Sequence, residues 1–288
     1  MDFASLQIFK AVVDEGGVQA AARKLHRVQS NITTRIKQLE ASLGVPLFDR
    51  QGRRLVLTPA GELLLGYAEQ ILQLGDEARQ AVADDRPCGT LRIGTLESLA
   101  AGRLPPLLSA YHQRHPDVSV ALTTGTTDAL VAQVRDRTLE AAFVADCQAM
   151  AGLPKLRAWR EQLVLVLPRS QAEQPLAQLP VDTVVGFSEG CEYRRRLLSL
   201  LQLHDRQPRR VLELGSYHAM LACVASGSGL ALVPRSVLQT VNLADAVAIR
   251  SLDEPLAEVD TWLIWRSAHC SGALRALQQQ LAEFAEGG

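Results

Sequence analysis

Residues 28–40 read VQSNITTRIKQLE and set Gln29, Ser30, Asn31, Thr33 and Thr34 side by side, followed by Arg35 and Lys37. Short amide and hydroxyl groups hold donors and acceptors close to the backbone, as reading base edges in a DNA major groove requires. Gln or Asn can pair twice with adenine, and a Thr methyl can meet thymine. Arg35 and Lys37 could reach a guanine edge or a phosphate. A neutral solvated face explains Ser30, Thr33 and Thr34 equally well on their own. Three more cations, Arg50, Arg53 and Arg54, surround Gln51-Gly52. They would hold backbone phosphates or enter a minor groove, contacts that position a protein without choosing a sequence.

A second polar set follows short apolar runs farther along: Thr95, Glu97 and Ser98 after LRIG, Thr126 and Thr127 after VALTTG, Gly190, Cys191 and Tyr193 after VVGFS, and Ser216, Tyr217 and His218 after LELG. Ligands of open α/β sheets bind beyond the carboxyl ends of strands, where helix starts expose backbone amides. Helix capping accounts for each hydroxyl singly; their repetition at strand ends favours one shared cleft. Helix starts favour an anion and Glu97 asks for a cation or donor. The expected ligand is therefore an amino acid, an amine or an organic acid.

These residues need elements to hold them. A helix over about 2–15, with Phe3, Leu6, Phe9 or Lys10, and Val13 facing a core, ends at Gly16-Gly17. A short helix in VQAAARKL and the turn His26-Arg27-Val28 lead to a third helix. Its Ile32, Ile36, Leu39 and Leu43 share one face, and it stops at Gly44. Two short β-like runs around Gln51-Gly52 predict a hairpin with a basic tip. Thr58 then caps, and Pro59 opens, a long helix. Along it Ala60, Leu64, Tyr67, Ile71, Leu74, Ala78 and Ala81 recur at alternating steps of four and three. That is a heptad seam, predicted to dimerise through Leu64, Tyr67, Ile71, Leu74 and Ala78, with Leu63 and Leu65 marking a second contact. Beyond Gly89 short apolar strands alternate with helices, one over 99–115 and a closing one over 271–286 with Leu274, Leu277, Leu281 and Phe284 inward. The alternation predicts parallel sheets with right-handed crossovers, split into two subdomains around a cleft.

Taken together these residues resemble a LysR-type transcriptional regulator. The stretch from FASLQIFK through LGVPLFDR to LTPAG follows that family's winged helix-turn-helix pattern almost throughout. GTLRIG, RHPDV, GCEYR and GSGLALVP resemble its effector domain more loosely. The resemblance covers essentially the whole chain. It implies an α/β protein with an N-terminal winged helix-turn-helix domain over 1–58, a long linker helix over 59–87 for dimerisation, and a two-subdomain effector domain over 88–288 like periplasmic binding proteins. Subdomain I would take about 89–161 and 266–288, and subdomain II about 162–265. It also implies a homodimer or homotetramer on an inverted-repeat site in double-stranded DNA, a small-molecule effector in the cleft, and room for RNA polymerase as a partner. Two positions depart from the pattern. Gly17-Val18-Gln19 lacks the Ser or Thr that would cap the second helix, a loss of about 1 kcal/mol. Asn31 stands where a small apolar residue is usual, so the base preference does not carry over.

Composition narrows the rivals. The net charge is −1, yet residues 1–58 carry nine cations (Lys10, Arg23, Lys24, Arg27, Arg35, Lys37, Arg50, Arg53, Arg54) against five acids (Asp2, Asp14, Glu15, Glu40, Asp49), a footprint for phosphate. With 47% hydrophobic residues the chain can bury real cores. Its start has no signal-peptide character and no long apolar run lacks a charge, so a cytoplasmic protein away from membranes is expected. The scattered cysteines suit reduced thiols better than disulfides or zinc. Cys191, near a helix start, raises the alternative of a redox sensor of the same fold. No GxSxG, GxxxxGK[ST] or HExxH motif supports an enzyme, so no catalytic residue, cofactor or metal is expected. His112 and His115 lack a third ligand nearby.

Overall fold

The computed structural model describes residues 1–51, 54–82, 86–145, 148–175, 178–179, 182–241, 246–253, 256–266 and 270–286. The chain divides into two compact units, Met1–Asp84 and Asp85–Gly288.

The first unit holds α1 (Phe3–Asp14), α2 (Val18–Lys24), α3 (Gln29–Leu43), the hairpin β1 (Phe48–Gln51) and β2 (Arg54–Leu57), and α4 (Pro59–Val82). The Asp2 carboxylate caps α1 by accepting from the Ser5 backbone N–H at 2.7 Å. The face of α1 that enters the core is Leu6, Ile8, Phe9, Ala11 and Val12; Phe3 and Val13 sit at its rim. Helix α2 starts without a side-chain cap at Gly17. In α3 Ile32, Ile36 and Leu39 are buried, whereas Leu43 is exposed. The helix stops there because Gly44 turns left-handed (φ 72°), a conformation glycine adopts without penalty. The Phe9 ring lies against Phe48, centroids 5.4 Å apart. The Glu40 side chain accepts from the backbone N–H groups of Leu47 and Phe48 at 2.8 and 3.3 Å, fastening the hairpin to α3.

Thr58 caps α4, its Oγ1 accepting from Gly61 N–H at 3.0 Å. Gly61 itself is required, since a Cβ there would strike the Leu47 carbonyl oxygen. The heptad seam of α4 is divided. Leu64 packs on this unit's own core with Leu65 and Leu72, around the buried Ala68, so Leu64 is not free for a partner as the spacing suggested. Tyr67, Ile71 and Leu74 are exposed, and Leu63, 66% exposed, joins them on the outward stripe. Ala78 is exposed as well.

The second unit contains β3 (Gly89–Thr95), α5 (Glu97–Gly102), α6 (Leu104–Arg114), β4 (Val118–Thr124), α7 (Thr127–Arg135), β5 (Ala141–Ala145), β6 (Lys155–Pro168), β7 (Thr183–Gly186), α8 (Glu192–Leu203), β8 (Arg210–Glu213), α9 (Tyr217–Ala225), β9 (Ala231–Pro234), α10 (Arg235–Thr240), β10 (Val247–Ser251), β11 (Glu258–Trp265) and α11 (Gly272–Glu286). The single helix expected over 99–115 is two, because Pro105 and Pro106 bring no N–H and interrupt the ladder after Gly102. In α11 Leu274, Leu277 and Leu281 are buried but Phe284 is exposed.

The sheet is mixed rather than parallel. β3 runs parallel to β4 and β5, whereas β11 pairs antiparallel with β5 and β6. The fourteen-residue β6 does two jobs: its first half pairs β11, and its second half pairs β9 and β10. It is the strand that carries the chain from one lobe to the other. β11, expected in subdomain II, therefore belongs to the sheet of subdomain I. A parallel pair β7 and β8 completes the second lobe, where Gly229 lets β9 approach β7; a Cβ there would meet the Thr183 carbonyl.

Candidate DNA interface and effector cleft

Helix α3 turns Gln29, Ser30, Asn31, Thr34 and Lys37 to solvent. Thr33 and Arg35 lie on the flanks of that face. The Thr33 hydroxyl donates to the Gln29 carbonyl at 3.0 Å, and Arg35 pairs with Asp2 at 3.3 Å, tying α3 to the start of α1. Gln38 is exposed on the same face, a residue absent from the sequence-based set although its helical spacing from Thr34 would have placed it there. The Arg53 position falls outside the described residues, as do the side chains of Arg50 and Arg54.

Pairing sorts the cations of this unit. Lys10 is bound to Asp14 and Glu69, and Lys24 to Glu15. Arg23, Arg27 and Lys37 are exposed and form no ion pair among the described residues; Arg23 and Arg27 lie on or beside the turn from α2 into α3, and Lys37 sits midway along α3. That turn passes through His26 at φ 50° and leaves Val28, 69% exposed, at the mouth of α3. Arg23, Arg27 and Val28 were not in the sequence-based set. Of the Lys10 and Lys24 pairs only that of Lys10 with Glu69 joins residues far apart in sequence.

In the second unit four helix starts meet. Thr126 precedes α7, Cys191 precedes α8 and Ser216 precedes α9, and none of the three makes a side-chain capping bond; the capping role that would explain Thr126 and Ser216 is not exercised. Thr95 is fully buried and its hydroxyl bonds the adjacent Leu96 carbonyl, so it shapes the loop rather than lining a cavity. Gly190, at φ 90°, accepts from Asp128 N–H at 3.4 Å. A Cβ on it would approach Thr126 Oγ1 at 3.0 Å, which brings the α7 and α8 starts together. Across them Arg195 binds Asp128 at 2.6 Å and Glu192 at 2.8 Å.

Ser98 lies close to both phenols, Tyr193 and Tyr217, yet Ser98 Oγ and Tyr193 Oη make no hydrogen bond of acceptable geometry. The buried oxygens Glu97 Oε2 and Thr127 Oγ1 are also without partners. Leaving a buried polar atom unpaired costs about 1–3 kcal/mol, and four such atoms belong to residues at or near the starts of α5, α7 and α8. The Tyr217 backbone N–H and His218 face Glu97. Tyr217 is buried, edge-on to Phe187 with centroids 5.0 Å apart, and a small cavity behind it is lined by Val185, Phe187, Cys191, Tyr193, Met220 and Leu232. Burial pushes the Cys191 thiol up, which keeps it protonated and works against the thiolate that a redox sensor needs.

Burial also raises the Glu97 carboxyl, partly offset by the Tyr217 amide and by His218. A carboxyl raised on folding binds protons more tightly folded than unfolded, so its contribution to stability falls as pH rises through the interval from the ordinary carboxylate value to the raised one. Glu97→Gln is expected to match the parent's thermal midpoint below that interval and exceed it above. Melting both proteins from about pH 4 to 8 checks this; a variant less stable than the parent at the upper end would refute it.

Comparison with known proteins bears on both halves. Residues 3–62 match the model described as bacterial regulatory helix-turn-helix protein, lysR family, and residues 84–286 match the LysR substrate binding domain. The chain belongs to the LysR family of transcriptional regulators. The regulator is 34% identical to the HTH-type transcriptional regulator CzcR of Bacillus thuringiensis subsp. konkukian (strain 97-27) over 285 residues, 98% of each chain. It is 35% identical to YofA of Bacillus velezensis (strain DSM 23117 / BGSC 10A6 / LMG 26770 / FZB42) over 268 residues, 93% of this chain and 92% of that one. Full-length CbnR complexed with its target DNA superposes with a TM-score of 0.70 at 29% identity, covering 98% of this chain and 99% of that one. The regulator thus joins a DNA-binding domain to an effector-binding domain. Among the described residues, no helix is long and apolar enough to cross a membrane.

Proposed function

We propose that α3 selects the operator of this regulator, with Ser30, Asn31, Thr34 and Gln38 meeting base edges and Arg23, Arg27, Lys37, Arg50, Arg53 and Arg54 holding phosphates. The observation that carries it is the outward polar face of α3, with Lys37 on it and Arg23 and Arg27 near its start, all three exposed and without an ion pair among the described residues. One such domain covers little DNA, so a homodimer or homotetramer joined along the Leu63, Tyr67, Ile71, Leu74 and Ala78 stripe of α4 would read an inverted repeat. The effector sits where the starts of α5, α7, α8 and α9 converge and changes the closure of the two lobes about β6, which alters the spacing of paired DNA readers. Such a protein works in the cytoplasm, where its DNA is.

Tyr67→Glu with Leu74→Glu places charges on the stripe. The pair of changes is expected to convert the assembly to smaller species in sedimentation and to lower affinity for an inverted repeat at least tenfold, leaving a single half-site almost unaffected. An unchanged sedimentation coefficient would overturn the α4 interface.

A further inference from the structure

The charged groups around the convergence of helix starts form a nearly closed set. Asp128 and Glu192 are held by Arg195, Glu192 also by Arg196, and Glu213 by Arg194. The buried Glu161, close to Tyr193, is held by Arg103 at 2.8 Å and receives the Ser236 hydroxyl at 2.6 Å. Each of these guanidiniums is already engaged by a carboxylate: Arg194 also donates to the Phe187 carbonyl, and Arg196 to that of Glu258. Glu97 differs. Among the described residues it pairs with no guanidinium or ammonium, its Oε2 is buried with no donor, and what faces it is one backbone amide and His218. Ser98, the next residue, lies close to Tyr193, and Thr127 opens α7; the hydroxyls of Ser98, Thr127 and Tyr193 lack hydrogen-bond partners, on side chains 1%, 0% and 4% exposed.

Glu97 is partly buried, and although the Tyr217 amide and His218 face it, its buried Oε2 is left without a donor; a buried carboxylate oxygen is disfavoured until a cation or hydrogen-bond donor completes it. We propose that the effector carries a protonated amine that docks on Glu97, which makes Glu97 the residue that selects for an amine, with the hydroxyls of Ser98, Thr127 and Tyr193 serving the ligand's other polar atoms. The proposal rests on the cleft assigned above. With the neighbouring arginines occupied, a ligand bearing only a carboxylate would meet an unmatched carboxylate and no free guanidinium. The shared chemistry is the ammonium; a free amine and an amino acid both supply it.

The test uses the full chain and two matched sets of probes, ethylamine with L-alanine and propionate, and isoamylamine with L-leucine and isocaproate, read by thermal shift and by titration calorimetry. Amine-bearing members of at least one set are expected to raise the midpoint, and the carboxylate-only member of that set is not. Glu97→Gln is expected to weaken the amine response at least tenfold, and Ser98→Ala with Thr127→Ala to weaken it severalfold. Stabilisation by propionate or isocaproate alone, an amine response indifferent to Glu97→Gln, or no response to any probe overturns the proposal. If a carboxylate stabilises and the Ser98→Ala, Thr127→Ala protein loses that response, the cleft stands and the amine alone falls. A response indifferent to all three substitutions removes the cleft as well.

Discussion

Replacing Ser30 and Thr34 together by alanine is expected to lower affinity for the operator about 30- to 1000-fold, the equivalent of about 2–4 kcal/mol for two lost single base contacts of about 1–2 kcal/mol each, the lower part of the range for a bidentate pair. Affinity for unrelated DNA at the same salt should change less than about twofold, because neither hydroxyl contributes charge. Both side chains are exposed on α3 and no hydrogen bond within the protein engages them among the described residues, so the fold should not register the change. Lys37→Ala should act differently. It weakens both kinds of binding and lowers the slope of log affinity against log salt by about 0.9. The operator can be obtained by selection from random duplexes with the parent protein, and the comparison made by titration at several salt concentrations. Equal losses on operator and random DNA for the Ser30, Thr34 pair would mean that this face does not read bases.

Phe9→Ala should remove about 3–5 kcal/mol from the first unit. Phe9 is fully buried, reaches the hairpin through Phe48, and sits among Leu6, Ile32, Leu39 and Leu47. For a unit of this size each kcal/mol lowers the midpoint about 4–8 °C, so a fall of about 12 °C or more is expected in its transition. Calorimetry of the full chain should show the second unit's transition unmoved, since the two units have separate cores. Both transitions moving together by similar amounts would contradict that division.

Local features of the fold could be read from the sequence because their causes are local. Gly44 ends α3 through its own backbone freedom, and Thr58 and Pro59 open α4 through a cap and a missing N–H. The break at Pro105 and Pro106 has an equally local cause and was open to the same argument. What could not be read depends on contacts between distant residues. Whether Arg35 is a reader or a tie is decided by Asp2, thirty-three residues away. Whether Leu63 or Leu64 faces outward is decided by where the α1 core lies, which a heptad count on one helix does not contain. β11 looks like the last strand of its lobe until its partners on β5 and β6 are known. In the cleft, sequence found the hydroxyls but not which were idle: Thr95 uses its own oxygen locally, whereas Ser98, Thr127 and Tyr193 do not.

The two-sided character of α4 has a consequence for how the protein behaves in a cell. Ala68, Leu64, Leu65 and Leu72 complete the core that supports α3, while Leu63, Tyr67, Ile71 and Leu74 on the same helix face water. A second copy seated on the exposed stripe would stabilise the helix that the DNA reader leans on, and that gain obeys mass action, adding about 1.4 kcal/mol per dimer for every tenfold rise in chain concentration. The number of copies in the cell would then set how firmly each reader is folded, so a scarce regulator would be a softer one as well as a less abundant one.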